Sequence, residues 1–454
     1  MAKIFTPSKN KNRQHKSKSK QLANFVAKVE NYDPKGKAIV SGPGNRIGFI
    51  KGALLHEEVK IRPIKYTDKV IEGDVLEVLT ASPDRISARC PHFKSCGGCQ
   101  LQMMDTAHQL QAKQNAVNDM LCNKLSVKDI PWQPPVSIDD WHYRRSARLS
   151  IWHENDGQVT LGFRQTNSKQ IIDIEQCPVL EKSIEQRLIS LKQQLTALKD
   201  KKCVTHIQAV YSNEGVTFIL RATTRLTTTS LSALKSWASE SNCNIFAEYE
   251  DKQYQTIYKS NGDSNAVLSY QLDELKFEFF PHNFIQVNDK VNQAMVQQAL
   301  NWLDVKQDEN VLDLFSGIGN FTLPLAQKAK QVFAVEGVMD MVRQLQHNAK
   351  INGIDNISAH QADLSQLSEK QKPKWLRPID KLLLDPARDG AFAVVKKIPL
   401  LNPKAILYVS CEPTTMQRDI KELLNAGYVL SKFTLLNMFP HTQHTEAMAL
   451  LTKK

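Results

Sequence analysis

Two short apolar runs that end abruptly in polar residues and a proline constrain this chain most. They are Leu382-Leu383-Leu384-Asp385-Pro386-Ala387-Arg388 and Ile406-Leu407-Tyr408-Val409-Ser410-Cys411-Glu412-Pro413. A run without polar alternation reads as a strand covered on both faces, as in a parallel sheet flanked by helices. Ligands of such sheets bind where the strands end. A cysteine at one strand's carboxyl end, with a carboxylate at the end of the neighbouring run, is where a nucleophile and its orienting groups would stand. Taken alone, Cys411 also reads as the small buried residue that most free cysteines are.

The stretch before these runs alternates regularly between helix and strand. Residues 288–303 carry Val291, Met295, Ala299 and Leu303 at helical spacing, with Asn288 as N-cap. Val311-Leu312-Asp313-Leu314-Phe315 reads as a buried strand, followed by Ser316-Gly317-Ile318-Gly319-Asn320-Phe321 and a helix from Thr322. Glycines at such a turn let the backbone approach a ligand closely. No third glycine stands in register, so a dinucleotide fingerprint is not met. Val332-Phe333-Ala334-Val335 ends in Glu336, about 20 residues past the first glycine, where an acid accepts hydrogen bonds from ribose hydroxyls. Asp363 follows a third strand around Ile357. In this order the motifs are similar to the S-adenosylmethionine site of class I methyltransferases; a nucleotide-binding or catalytically dead domain of the same kind is the other reading.

At 454 residues the chain is long enough for two or three domains, and its net charge of +12 argues for a polyanionic partner. No run approaches the ~18 apolar residues of a membrane span, and the N-terminus lacks the apolar core of a signal peptide. We therefore expect a cytosolic protein without membrane attachment, whose eight cysteines are ligands or catalysts more than disulfides. Residues 1–20 hold seven basic side chains and no acidic one, which reads as a disordered arm that attracts phosphates. Residues 21–88 change to short alternating runs broken by turn signals such as Gly42-Pro43-Gly44-Asn45, the pattern of a small oligonucleotide-binding barrel.

Cys90, Cys96 and Cys99 then fall within ten residues, the last two across Gly97-Gly98. The best candidate for a fourth ligand is Cys177, because its Cys-Pro step resembles the end of iron-sulfur ligand runs. Structural zinc is the rival, although zinc sites show two separated Cys-x-x-Cys pairs, and the three-plus-one spacing favours a [4Fe-4S] cluster. A helix is expected over residues 100–123 and another over 181–199. Between them Trp141-His142-Tyr143-Arg144-Arg145-Ser146-Ala147-Arg148 sets three arginines among aromatics, a plausible RNA contact or the basic face of an ordinary strand.

With the three-plus-one cysteines, the glycine loop and Ser-Cys-Glu-Pro in one chain, the sequence resembles the RNA uracil-C5 methyltransferases almost end to end. The resemblance implies an N-terminal TRAM barrel (21–88), a central α+β domain with the cluster (89–281) and a class I Rossmann-like α/β methyltransferase domain (282–454). Relatives acting on tRNA lack the cluster and another rRNA branch lacks the barrel, so having both points to 23S rRNA as partner. Matched residue by residue, Cys90, Cys96, Cys99 and Cys177 are the implied cluster ligands. Gln286, Phe315, Asn320, Glu336, Asp363 and Asp385 are the implied cofactor contacts. Cys411 is the implied nucleophile and Glu446 the general base, with Arg148 and Phe284 at the target nucleotide. The chain departs from the family at Ser316, where cysteine is usual, and at Glu412, where asparagine is usual; the latter sets a negative charge beside the thiol. The same reaction on tRNA or another rRNA uridine, or a non-catalytic RNA-binding S-adenosylmethionine sensor, are the alternatives. A monomer is expected, with no obligate protein partner.

Overall fold

The computed structural model describes residues 22–166, 168–250, 253–363, 365 and 373–453. The basic arm lies outside them. Five strands, β1 Phe25–Tyr32, β2 Ala38–Gly42, β3 Arg46–Lys51, β4 Glu58–Tyr66 and β5 Val70–Thr80, close into a barrel in the order β1-β2-β3-β5-β4. Its interior is Val29, Val40, Ile50, Val59 and Ile61, all 1% exposed or less. Leu101, Met103, Met104 and Ala116, from beyond the cysteine-rich segment, join this core. The barrel is thereby sealed by the segment that follows it.

Helix α1 runs Thr106–Leu125, because Asp105 caps it by accepting from the His108 backbone N–H. The helix expected from residue 100 therefore starts later, since Leu101–Met104 are drawn into the barrel core. A second sheet has the order β12-β11-β10-β9-β6-β7-β8. Its strands are β6 Ser146–His153, β7 Val159–Arg164, β8 Ile171–Asp173, β9 Val204–Ser212, β10 Gly215–Ala222, β11 Asn244–Glu248 and β12 Tyr254–Tyr258. Against it lie α2 Lys182–Glu185, α3 Leu188–Ala197 and α4 Thr228–Glu240. The single helix expected over 181–199 is split, with the Arg187 guanidinium reaching the carbonyls of Ser183, Ser241 and Asn242 at the break. A hairpin, β13 Leu268–Leu272 and β14 Leu275–Phe279, leads to α5 Asp289–Leu303, whose Asn288 cap accepts from Val291 N–H.

The third sheet carries the sequence motifs. It comprises β15 Asn310–Leu314, β16 Gln331–Glu336, β17 Ile357–Gln361, β18 Lys381–Leu384, β19 Ala405–Ser410, β20 Tyr428–Leu436 and β21 Glu446–Lys453. The intervening helices are α6 Thr322–Ala326, α7 Met339–Ile351, α8 Phe392–Val395 and α9 Pro413–Asn425. The order is β17-β16-β15-β18-β19-β21-β20, parallel up to β19, with β21 antiparallel to β19. This is the Rossmann-like methyltransferase arrangement. Period-two alternation explains the unbroken apolar runs: Leu383, Leu407 and Val409 face one core, Leu382, Ile406 and Tyr408 the other. The first core is completed by α5 and the β13–β14 hairpin, the second by Val117, Leu121 and Leu125 of α1. Residues 131–136 also bridge to β20, at Trp132–Phe433 and Val136–Leu436. Stretches from the middle of the chain thus cover both faces of the last sheet. None of the described helices is long and apolar enough to cross a membrane.

Candidate active site

The carboxyl ends of β15, β16, β18 and β19 lie along one edge of the sheet, and the antiparallel β21 begins at that same edge. In the β19–β21 ladder the last pair is Ser410 with Ala447. One further register step sets Cys411 opposite Glu446. Asp385 stands one strand away, just past Leu384, which pairs with Tyr408. Two residues separated by 35 positions in sequence thus meet through strand reversal alone.

Burial governs the electrostatics here. Cys411 is pushed up to about 11, first by desolvation, then by Glu446 and Asp385, with Arg388 pulling the other way. Asp385 is raised to about 7 by desolvation, and Asp313 likewise, by desolvation with Asp385 and Glu336 adding repulsion. Glu446, 4% exposed, is raised well above the carboxylate range by burial and by Asp385. Asp385 thus opposes the charge of both Glu446 and Asp313, and acids set together in this way suit a cationic ligand. The buried Asp313 Oδ1 and Ser316 Oγ have no hydrogen-bond partner among the described residues, as a polar ligand's site would leave them.

The glycine loop is braced for close approach. Phe315 and Ser316 N–H both donate to Val335 O (2.9 and 3.2 Å), and Gly317 N–H donates to Glu336 Oε2 at 3.1 Å. Phe315 has φ +64° with its ring exposed, and Gly319 has φ +102° where a Cβ would lie 2.4 Å from Leu323. Only glycine fits there. Asn320 is locked by a reciprocal amide pair with the buried Asn292 of α5 (2.9 and 3.0 Å). Asp363 is exposed, its carboxyl lowered by hydrogen bonds from Ser365. Gln286 is held through its backbone, its carbonyl accepting from Arg145 Nε at 2.8 Å.

That bond changes the reading of the arginine cluster. Arg145 is buried, paired with Asp289 at 2.5 Å and stacked over Tyr270, so it braces the fold instead of meeting RNA. Arg144 and Arg148 instead line a cleft of about 440 Å³ with His206, Arg221 and Phe284. Phe284 is 66% exposed, far outside what a core aromatic shows.

The strand that carries Glu446 is clamped by contacts that no local sequence pattern announces. Residues 437–445 lead into Glu446, and they are held by groups from three distant elements. Tyr143 OH donates to Pro440 O at 3.0 Å; Gln100 and Leu101 N–H donate to His441 O; Gln109 accepts from His441 N–H at 2.9 Å; Lys113 Nζ donates to His444 O at 2.8 Å. Lys113, 3% exposed and lowered to about 7 by burial, stands among the buried positions of α1 where a sequence pattern expects an apolar residue. A lysine and a glutamine on an apolar stripe were the available signal.

The thiols of Cys90, Cys99 and Cys177 are raised first by burial; Cys96 adds to all three, Cys90 adds to Cys99 and Cys177, and Cys177 adds to Cys99, so that Cys99 reaches about 12 and Cys177 about 11. All four are free. Among the described residues, no group of three or more His, Cys, Asp or Glu side chains forms a metal-holding constellation. Their donor chemistry suits an iron-sulfur cluster or zinc.

The raised acids have a stability consequence. A carboxyl whose native pKa lies above its unfolded value of about 4 stabilises the fold below pH 4 and loses that contribution as pH rises to the native value. Asp385→Asn should therefore stabilise the ligand-free protein at pH 8, by ~1–3 kcal/mol. In urea denaturation the gain should shrink steadily from pH 7 toward pH 4; a pH-independent gain would place its origin elsewhere.

The profile of the family described as tRNA (uracil-5-)-methyltransferase matches residues 105–454. The 23S rRNA (uracil(1939)-C(5))-methyltransferase of Shewanella sediminis is 40% identical over 435 residues, 95% of this chain and 97% of that one. Its counterpart from Vibrio cholerae is 40% identical over 408 residues, 89% of this chain and 91% of its own. Among solved structures, the tRNA (uracil-54, C5)-methyltransferase of Pyrococcus abyssi, in complex with S-adenosyl-L-homocysteine, superimposes with a TM-score of 0.71. It is 20% identical, and the match covers 94% of this chain and 100% of that one, a likeness of fold.

Proposed function

The chain belongs to the tRNA (uracil-5-)-methyltransferase family, whose members methylate uracil C5 in RNA, and from that premise we propose that it methylates C5 of uridine 1939 in 23S rRNA. The observation that carries the residue assignment is the juxtaposition of Cys411 and Glu446 across β19 and β21, with Asp385 beside them.

The residue types follow from the chemistry. Uracil C5 is a weak nucleophile, so the Cys411 thiolate adds to C6 and the electron pair moves to C5 and O4 as an enolate. S-Adenosylmethionine supplies the methyl group that C5 takes up. Glu446 then removes the proton left on the tetrahedral C5, the C5=C6 bond re-forms and Sγ departs with its electron pair. Arg388 favours the thiolate against the pull of burial, Glu446 and Asp385. Gln286, Phe315, Asn320, Glu336, Asp363 and Asp385 would hold the cofactor. Burial of the reacting base requires flipping it from the stack, with Phe284 placed to stack on a base and Arg148 to hold phosphate.

Cys90, Cys96, Cys99 and Cys177 would hold a [4Fe-4S] cluster in a structural or RNA-binding role, since nothing in this transfer requires an electron. Gln100 directly follows Cys99 and grips the loop before Glu446, a connection that supports the structural role. Cys96→Ala should lower iron content, solubility and RNA affinity together; unchanged iron and activity would end this reading. The barrel would bind RNA beside it, in a monomeric cytoplasmic enzyme.

Nucleoside mass spectrometry on unmodified 23S rRNA and tRNA, after incubation with protein and S-adenosylmethionine, tests the function. 5-Methyluridine at one 23S site supports it. Methylation confined to tRNA would shift the substrate, and none in either RNA would leave the sensor reading.

A further inference from the structure

The β1–β2 turn of the barrel, residues 33–37, touches the catalytic centre on both sides. Lys35 Nζ lies 3.0 Å from Glu412 Oε2, and Thr445 Oγ1 donates to Pro34 O at 3.3 Å. Glu412 follows Cys411 directly, and Thr445 directly precedes Glu446. Neither contact belongs to the ladders of the barrel or of the last sheet. The turn is also stiff: Asp33 Oδ1 accepts from the N–H groups of Lys35 (2.9 Å) and Lys37 (2.7 Å), and Gly36 N–H donates to Asp33 O at 2.8 Å. Gly36, at φ +73°, would put a Cβ 3.4 Å from Leu101, so the turn is seated against the segment that also grips His441.

Resting on the assignment of Cys411 as nucleophile and Glu446 as base, we propose that this turn is a positioning element for methyl transfer. Lys35 draws the Glu412 carboxylate away from the adjacent thiol, and Lys35 with Pro34 sets the spacing between the loop bearing the nucleophile and the strand bearing the base. An ion pair whose lysine is 54% exposed adds little stability, so its consequence lies in placement. The groups around the Cys411 thiol leave little tolerance for another negative charge. Glu446 on β21 and Asp385 after β18 already oppose the thiolate, Arg388 favours it, and His444 is held toward its neutral form, first by burial and then by Arg388. Glu412 itself is kept ionised despite partial burial by Lys35 and by Thr414. Left unpaired, that carboxylate would disfavour the neighbouring thiolate.

The test uses the full-length protein with Lys35→Met, Glu412→Gln and the double variant. Methylation kinetics on unmodified 23S rRNA are read beside the pH at which Cys411 becomes half as reactive toward iodoacetamide as at its plateau, followed on the Cys411 peptide by mass spectrometry. Lys35→Met should lower kcat roughly fivefold to tenfold with KM for RNA within about twofold, and move the alkylation midpoint to higher pH. Adding Glu412→Gln should restore most of both, a non-additivity expected of partners. A raised KM with unchanged kcat, indifferent to residue 412, would make Lys35 an RNA contact and overturn the proposal, as would an unmoved midpoint. Wild-type protein that makes no 5-methyluridine would instead fail the functional reading, while the midpoints still report on the Lys35–Glu412 pairing.

Discussion

Cys411→Ala is expected to abolish 5-methyluridine formation, on the order of 10⁴-fold or more, while binding of S-adenosylmethionine and RNA stays within about threefold. The size of the effect follows from the substrate: without a nucleophile at C6, C5 has no electron pair to offer, and no other group at the site replaces that activation. Sparing of binding follows from the structure. The Cys411 side chain is only partly buried at the end of β19 and has no part in the ladder, which ends at Ser410. Removing Sγ leaves the acids at the strand ends, the glycine loop and the Arg148–Phe284 cleft in place. Isothermal titration and nucleoside mass spectrometry on one preparation separate the two. Full turnover by this variant would end the covalent mechanism.

Glu446→Gln should slow turnover by about 10²–10⁴-fold, the range of a lost general base, and should do so at one step. In the proposed sequence addition at C6 and methylation at C5 precede proton removal, so the variant should accumulate protein joined to methylated RNA, visible as a band that survives denaturing electrophoresis. The neutral amide suits the site sterically and electrostatically, because burial and Asp385 already hold Glu446 toward its neutral form. The same shift sets the pH dependence of the wild-type enzyme. Both Glu446 and Cys411 are raised, both must lose a proton to act, and turnover should climb as pH rises above neutrality. Turnover by Glu446→Gln without adduct and near the wild-type rate would assign proton removal elsewhere.

Much of the last sheet was legible because its signals are local. Leu382–Leu384 and Ile406–Val409 are apolar without alternation because helices and hairpin cover both faces, and Asn288 caps α5 with its own side chain. The glycine loop was readable for the same reason: φ of +55° and +102° at Gly317 and Gly319 is a property of two residues and their immediate backbone. The arginine cluster was not. Arg144, Arg145 and Arg148 are alike in composition, yet Arg145 is buried against Tyr270 and Asp289 while Arg144 and Arg148 line an open cleft. A strand's two faces differ only once something packs on one of them.

Glu412 shows the same limit from the other side. In sequence it is a carboxylate beside a thiol; in the fold its oxygen lies against Lys35, almost the whole chain away. Helix α1 carries Lys113 and Gln109 on its buried face because their polar ends reach His444 and His441, partners that no helical periodicity can name.

By itself, then, the sequence determined the alternation of strand and helix from Asn288 to Cys411, the turn chemistry of the glycine loop and the residue types at those strands' ends, since these depend on neighbours within a few positions. The tertiary structure alone decided that β21 runs back beside β19 to set Glu446 against Cys411, that a barrel turn touches Glu412 and Thr445, and that the stretch after the cysteines grips the residues before Glu446. Those contacts join residues 35 to 411 positions apart, and which of many such pairings forms is chosen by the packing of the whole chain.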